Sequence, residues 1–217
     1  MKKFSLVFLV CAVAAASAAP LWAGTAVIQS NASNTGAAVA SASDPRLTSG
    51  DTSGLNFTVV GTDNLGSFTS APSGAPAGTI PVQVPPECGW YCGQSGFVET
   101  TFTLPTGFTA ASLTGAANVD DSGYAFLNGY LISSQLSELG NTSFSTSNQL
   151  YFDTGVNTFV ISDSNSGGGP SAVAFYANIN YTSPTPVPEG PALPMLGICA
   201  LALLGAMVIV KRGLIAY

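Results

Sequence analysis

The chain has 217 residues, of which 47% are hydrophobic and only 7% charged; it contains no histidine and carries a formal net charge of −6. Arg46 is the one basic residue between positions 24 and 186, against ten acids, so that span alone carries −9. Such a surface repels phosphate backbones and excludes nucleic acid as a partner. The missing histidine excludes Ser–His–Asp and Cys–His nucleophile systems and His-based zinc sites.

The first 23 residues, "MKKFSLVFLVCAVAAASAAPLWA", read as a secretory signal peptide. Lys2 and Lys3 form its basic start, Phe4 to Ala16 its apolar stretch, and small residues follow as cleavage sites. Ala16-Ser17-Ala18 fits the small-x-small rule, with cleavage after Ala23 as the alternative. The expected partners at this end are the Sec machinery and signal peptidase.

Residues 24–183 read as one exported domain. Its first part, 24–50, is small and polar and reads either as loosely ordered or as an added edge strand. Beyond it, short runs alternate apolar and polar residues, punctuated by Gly, Pro, Asn and Ser, with no heptads and no long amphipathic helix. In "FVETTFTLP", Val98, Thr100, Phe102 and Leu104 share one face. In "SAVAFYANINY", Val173, Phe175, Ala177, Ile179 and Tyr181 share a face, with Asn178 and Asn180 opposite. "LNFTVV" and "NTFVISD" are shorter strands. In "YAFLNGYLI", Asn128-Gly129 accepts the positive φ angles of a type I′ turn and predicts a hairpin. Residues 141–149 read as a loop or an edge strand, and 164–170 as a long turn before the last strand. Eight or so strands fit an all-β antiparallel sandwich.

After the domain, "TSPTPVPEG" predicts a stiff, extended linker, with 184–191 as linker and processing segment. Residues 192–210 carry no charge; as a helix they span roughly 28 Å, enough to cross a bilayer core. Lys211 and Arg212 supply a cytoplasmic stop signal and open the basic tail 211–217. The tail is therefore expected to hold the protein at a membrane, with the bulk of the chain outside. A basic pair after the apolar stretch argues against a lipid-anchor signal, which ends in its hydrophobic tail.

The motif Val187-Pro188-Glu189-Gly190-Pro191, one membrane helix and a terminal basic pair resemble the PEP-CTERM sorting signal of Gram-negative bacteria. Gly190 stands where the usual core has its second proline, so the motif is a variant. The resemblance implies transient anchoring in the inner membrane, cleavage by an exosortase-like protease, and release to a cell surface or matrix rich in exopolysaccharide. The alternative is a permanently anchored single-pass surface protein without a ligand.

The stretch from Phe102 to Tyr130, together with 154–175, is similar to the galactose-binding-like jelly-roll module. Asp120, Asp121, Leu127, Asn128, Gly129, Gly155 and Asn157 occupy the matching turn positions. This similarity covers about 80 residues and implies the fold more than a ligand.

Few residues promise chemistry. Cys88 and Cys92 in "ECGWYCG" face an oxidising compartment and are expected to form a disulfide that pins Trp90 and Tyr91 at a loop tip. Those two aromatics either contact a glycan or close one end of the core. Asp120 and Asp121 in "VDDSGY" form either an Asx-type turn or part of a structural Ca²⁺ site, since adjacent carboxylates offer hard oxygen ligands. No other cofactor is expected. No catalytic residue is assigned and the protein is read as non-enzymatic. Glycoside hydrolysis needs only two carboxylates, so Asp120, Asp121, Glu99 and Glu138 are the candidates for the rival reading of a weak glycosidase.

Overall fold

The computed structural model describes residues 21–41, 43–60, 69–84, 95–137, 141–166 and 171–184. Cα packing gathers Trp22–Ser183 into one compact unit. Eleven strands are seen among the described residues. They are β1 (Leu21–Gln29), β2 (Gly36–Ala40), β3 (Thr58–Val59), β4 (Val82–Val84), β5 (Ser95–Leu104) and β6 (Ala110–Val119). After these come β7 (Ser122–Leu127), β8 (Tyr130–Ser137), β9 (Thr142–Thr146), β10 (Gly155–Ser164) and β11 (Ser171–Pro184). A four-residue helix, α1 (Arg46–Ser49), and a 3₁₀ turn (Gln149–Tyr151) are the helical elements described.

One sheet runs β1-β11-β6-β9, with β4 also pairing β11; the other runs β3-β2-β5-β10-β7-β8. The ladders β4–β11, β6–β11, β6–β9, β2–β3, β2–β5, β5–β10, β7–β10 and β7–β8 are all antiparallel. The molecule is an all-β sandwich, as the alternating runs predict.

Alternation explains the core between the sheets. Val173, Phe175, Ala177 and Ile179 of β11 are fully buried on the face they share with Leu113, Ala117 and Val119 of β6. Val98, Thr100, Phe102 and Leu104 of β5 face them from the second sheet. At the centre, Phe159 packs on Phe144 and Phe175, with ring centroids 5.4 and 5.2 Å apart. Each such ring withdraws enough apolar area to contribute about 2–3 kcal/mol.

The second sheet is covered on its outer side as well. Leu47 of α1 packs with Phe97, Phe126, Val160 and Ala40 into a smaller apolar cluster. Ser162 Oγ donates to the Leu47 carbonyl at 2.7 Å and ties α1 to β10. This is why Phe97 and Val160, on the outward-facing positions of their strands, are buried.

Three sequence-based expectations meet a definite outcome. The small, polar stretch 24–50 holds the edge strand β1, β2 inside the second sheet, and α1. Its Ala37 and Ala38 are buried because small residues let β2 lie close against β5, and Ile28 of β1 joins the core between the sheets. "LNFTVV" forms a strand over two residues only, because Leu55 and Phe57 pack sideways into the outer cluster instead of pairing. The segment 141–149 supplies β9, an edge strand.

The hairpin is the predicted one. Asn128 (φ 49°) and Gly129 (φ 80°) both have positive φ, and Leu127 faces Tyr130 across the turn. Among the described residues no helix is long and apolar enough to cross a membrane. The signal stretch 1–20, the span 192–210 and the basic tail lie outside the described residues. β1 begins at Leu21, within the stretch that cleavage after Ala23 would remove.

Candidate functional site

The residues singled out from sequence fall in four places. Cys88, Trp90, Tyr91, Cys92, Glu138, the motif 187–191 and Lys211-Arg212 lie outside the described residues.

The Asn-Gly hairpin and the Gly-x-Asn start of β10 lock each other. Asn128 Nδ2 donates to Asn157 Oδ1 (2.8 Å) and to the Tyr151 carbonyl (2.9 Å), and Thr158 N donates to Asn128 Oδ1 (2.8 Å). Asn157 Nδ2 donates to the carbonyls of Asp153 and Gly155, while its Oδ1 accepts from Asp153 N. Asn157 is wholly buried, so these bonds satisfy a polar group that has no access to water. These motif positions serve turn architecture. Beside them the rings of Tyr130 and Tyr151 stack at 4.5 Å.

Asp120 and Asp121 form the two-residue link between β6 and β7. Asp121 Oδ2 accepts from Ser166 N (2.7 Å) and Ser166 Oγ (2.8 Å). Sequence reasoning missed their neighbour Asp163. It is fully buried, and burial, with the nearby Asp120 and Asp121 charges adding to it, pushes its carboxyl well above the ordinary range. Asp163 Oδ2 lies 2.6 Å from Ser171 Oγ, which is also bonded to the main-chain oxygen of Asp120; Asp163 Oδ1 has no hydrogen-bond partner. Ser171 has one proton and two acceptors. A protonated Asp163 donating to Ser171 Oγ, which donates to Asp120, accounts for both contacts of Ser171 with its single proton. Among the described residues no group of three or more His, Cys, Asp or Glu side chains gathers as metal ligands.

Glu99 lines a cavity of about 430 Å³ on the outer side of the second sheet, with Asp51, Thr52, Ser53, Asn128 and Thr158. Partial burial raises the Glu99 carboxyl above its ordinary range. Asp51 is held below its own by the hydrogen bonds from Ser53, one of them from the Ser53 main-chain N–H at 2.9 Å. Two carboxylates of opposite tendency thus share a cavity, although Asp51 carried no signal in the sequence.

A larger groove, about 530 Å³, is lined by β6, β9 and β11 of the first sheet and by Ile132 of β8 in the second. Its polar lining is Thr114, Ser143, Ser145, Tyr176 and Asn178; Gly115, Phe144 and Ile132 supply the apolar part. The segment 70–74 is pinned beside it. Asn118 Nδ2 donates to the Ser70 carbonyl (2.8 Å), Ser73 N to Asn141 Oδ1 (2.7 Å), and the Tyr176 hydroxyl to the Ser73 carbonyl (3.5 Å).

No family profile and no curated protein matches the chain. Among solved structures it is similar to the FMN-binding beta-glucuronidase from Facaelibacterium prausnitzii L2-6, at 14% identity and a TM-score of 0.34. That similarity covers 72% of this chain and 23% of the other, so the chain spans less than a quarter of the enzyme's length.

Proposed function

We infer that this is a non-enzymatic, exported bacterial surface or matrix protein whose galactose-binding-like jelly roll is carried to exopolysaccharide by a PEP-CTERM-type tail. The observation that supports the reading most is where β11 ends. β11 ends at Pro184, three residues before Val187-Pro188-Glu189-Gly190-Pro191. A protease that reads an extended peptide would meet this motif three residues on from the end of β11. Signal peptidase removes the front, and cleavage after Ala18 leaves all of β1 in the mature chain. The exosortase-like protease removes the membrane helix, and the domain associates with polysaccharide. Trp90 and Tyr91, pinned by a Cys88–Cys92 disulfide, are the glycan contacts the sequence offers.

The test is the intact mass of the mature protein from its native host. The reading expects loss of the first 18 residues and of everything past the Pro188-Glu189 region. A mass that retains 192–217 establishes a permanent single-pass anchor and removes the sorting step.

The rival reading, a weak glycosidase, rests on Glu99 and Asp51 sharing one cavity with carboxyls pushed in opposite directions. Release of reducing sugar from polysaccharide, abolished by Glu99→Gln, would favour it over the binding role.

A further inference from the structure

The outward positions of three neighbouring strands fall in register on the first sheet. Asn178 of β11 faces Thr114 of β6, which faces Ser145 of β9; one step along, Tyr176 faces Ala116, which faces Ser143. The result is a lattice of hydroxyl and amide groups spaced about 4.8 Å across the strands and about 6.7 Å along them. Thr114, Asn178, Ser143 and Ser145 are all exposed. The larger groove lies on this lattice, with the buried Phe144 ring in its lining.

The groove is prebuilt. Segment 70–74 is fixed beside it by three hydrogen bonds, and a Cβ at Gly74 would stand 3.3 Å from the Tyr176 hydroxyl, so that segment lies close on the ring's polar end. A site ordered before binding loses less entropy when a ligand arrives.

The chemistry of the lining selects the ligand. Among the described residues no carboxylate, ammonium or guanidinium lines the groove. The one base of the exported domain, Arg46, is paired with Asp44 at 2.6 Å. An acidic glycan would find no counter-charge here and would meet a domain of net −9. An extended peptide binds a sheet by its edge, through main-chain hydrogen bonds, and gains little from a face of short hydroxyls. A neutral sugar chain presents hydroxyls that both donate and accept, together with C–H surfaces that suit an apolar patch.

We propose that this groove is a binding site for neutral polysaccharide, and that Asn178 and Thr114 are its principal hydrogen-bonding residues. The proposal rests on the polysaccharide-associated role and moves its contact surface from the Trp90–Tyr91 loop to the face of the first sheet.

Affinity electrophoresis of the exported domain through gels containing dextran, galactan, mannan or alginate tests it. The expected result is retardation by at least one neutral polymer and none by alginate. The double variant Asn178→Ala/Thr114→Ala should bind about ten-fold more weakly or worse, with Trp90→Ala close to the parent. Both positions of the double variant are exposed, and an unchanged melting temperature shows that its fold survives. Retardation that persists in the double variant but is lost in Trp90→Ala overturns the groove and leaves the glycan reading standing. Retardation by alginate alone, or by none of the polymers, also overturns the groove, while the mature mass decides the sorting reading independently.

Discussion

Ser171 Oγ lies 2.6 Å from Asp163 Oδ2, inside the sandwich and away from water. Burial, the first cause of the shift, raises the Asp163 carboxyl well above 3.8 in the folded state. The folded protein therefore holds a proton that the unfolded chain releases. Its contribution to stability is complete below pH about 3.8 and is lost as pH rises through the folded-state value. Asp163→Asn keeps a partner for Ser171 and removes the titration. Melting temperatures from pH 4 to 8 should fall less steeply in the variant than in the parent, and the variant should be the more stable at pH 8. Parallel slopes would show that Asp163 is ionised in the fold. Millimolar Ca²⁺ should raise the parent's melting temperature if Asp120 and Asp121 hold a cation, and leave it unchanged if they serve the turn alone.

Asn157→Ala should be among the costlier single changes. It leaves the Asp153 N–H and the Asn128 amide without their acceptor, and two carbonyls without their donor. A loss of about 3 kcal/mol is expected, or roughly 6–12 °C of melting temperature for a domain of this size.

Phe159→Ala removes the middle ring of the Phe144–Phe159–Phe175 stack and should cost about 3–5 kcal/mol. Urea titration reads this as a lower midpoint with an unchanged slope.

Gly115 and Gly129 should respond to alanine for different reasons. A Cβ at Gly115 would stand 2.2 Å from the Tyr176 carbonyl oxygen and 2.8 Å from the Phe144 ring, an overpacking cost of about 1–3 kcal/mol. Gly129 has open space around it and only its φ of 80° to defend, so Gly129→Ala should cost about 1 kcal/mol and Gly129→Asn less. Chemical denaturation of the three variants checks the ranking.

Much of the fold was legible because alternation is a local signal. β5, β10 and β11 read directly from residues such as Val98, Phe159 and Phe175, and Asn128-Gly129 carried its own backbone requirement. β1 and β2 were ambiguous because their alanines and glycines show little contrast between faces. Leu47 was illegible as a core residue, since a four-residue helix has no periodicity to display. The site residues divide the same way. The outward position of Asn178 could be read from β11, but its row with Thr114 and Ser145 depends on register between distant strands. Asp163 sits where a strand's buried face would hold an apolar residue, and its proton is a consequence of packing that no short motif encodes.

The last strand among the described residues lies inside its sheet: β11 has β6 on one side and β1 and β4 on the other. A chain still missing residues 171–184 has β1 and β4 without a ladder in the first sheet and leaves one edge of β6 bare. The first 170 residues therefore cannot complete the first sheet. Closure of that sheet waits for residues 171–184, so its completion is tied to a strand that arrives long after β1 and β4.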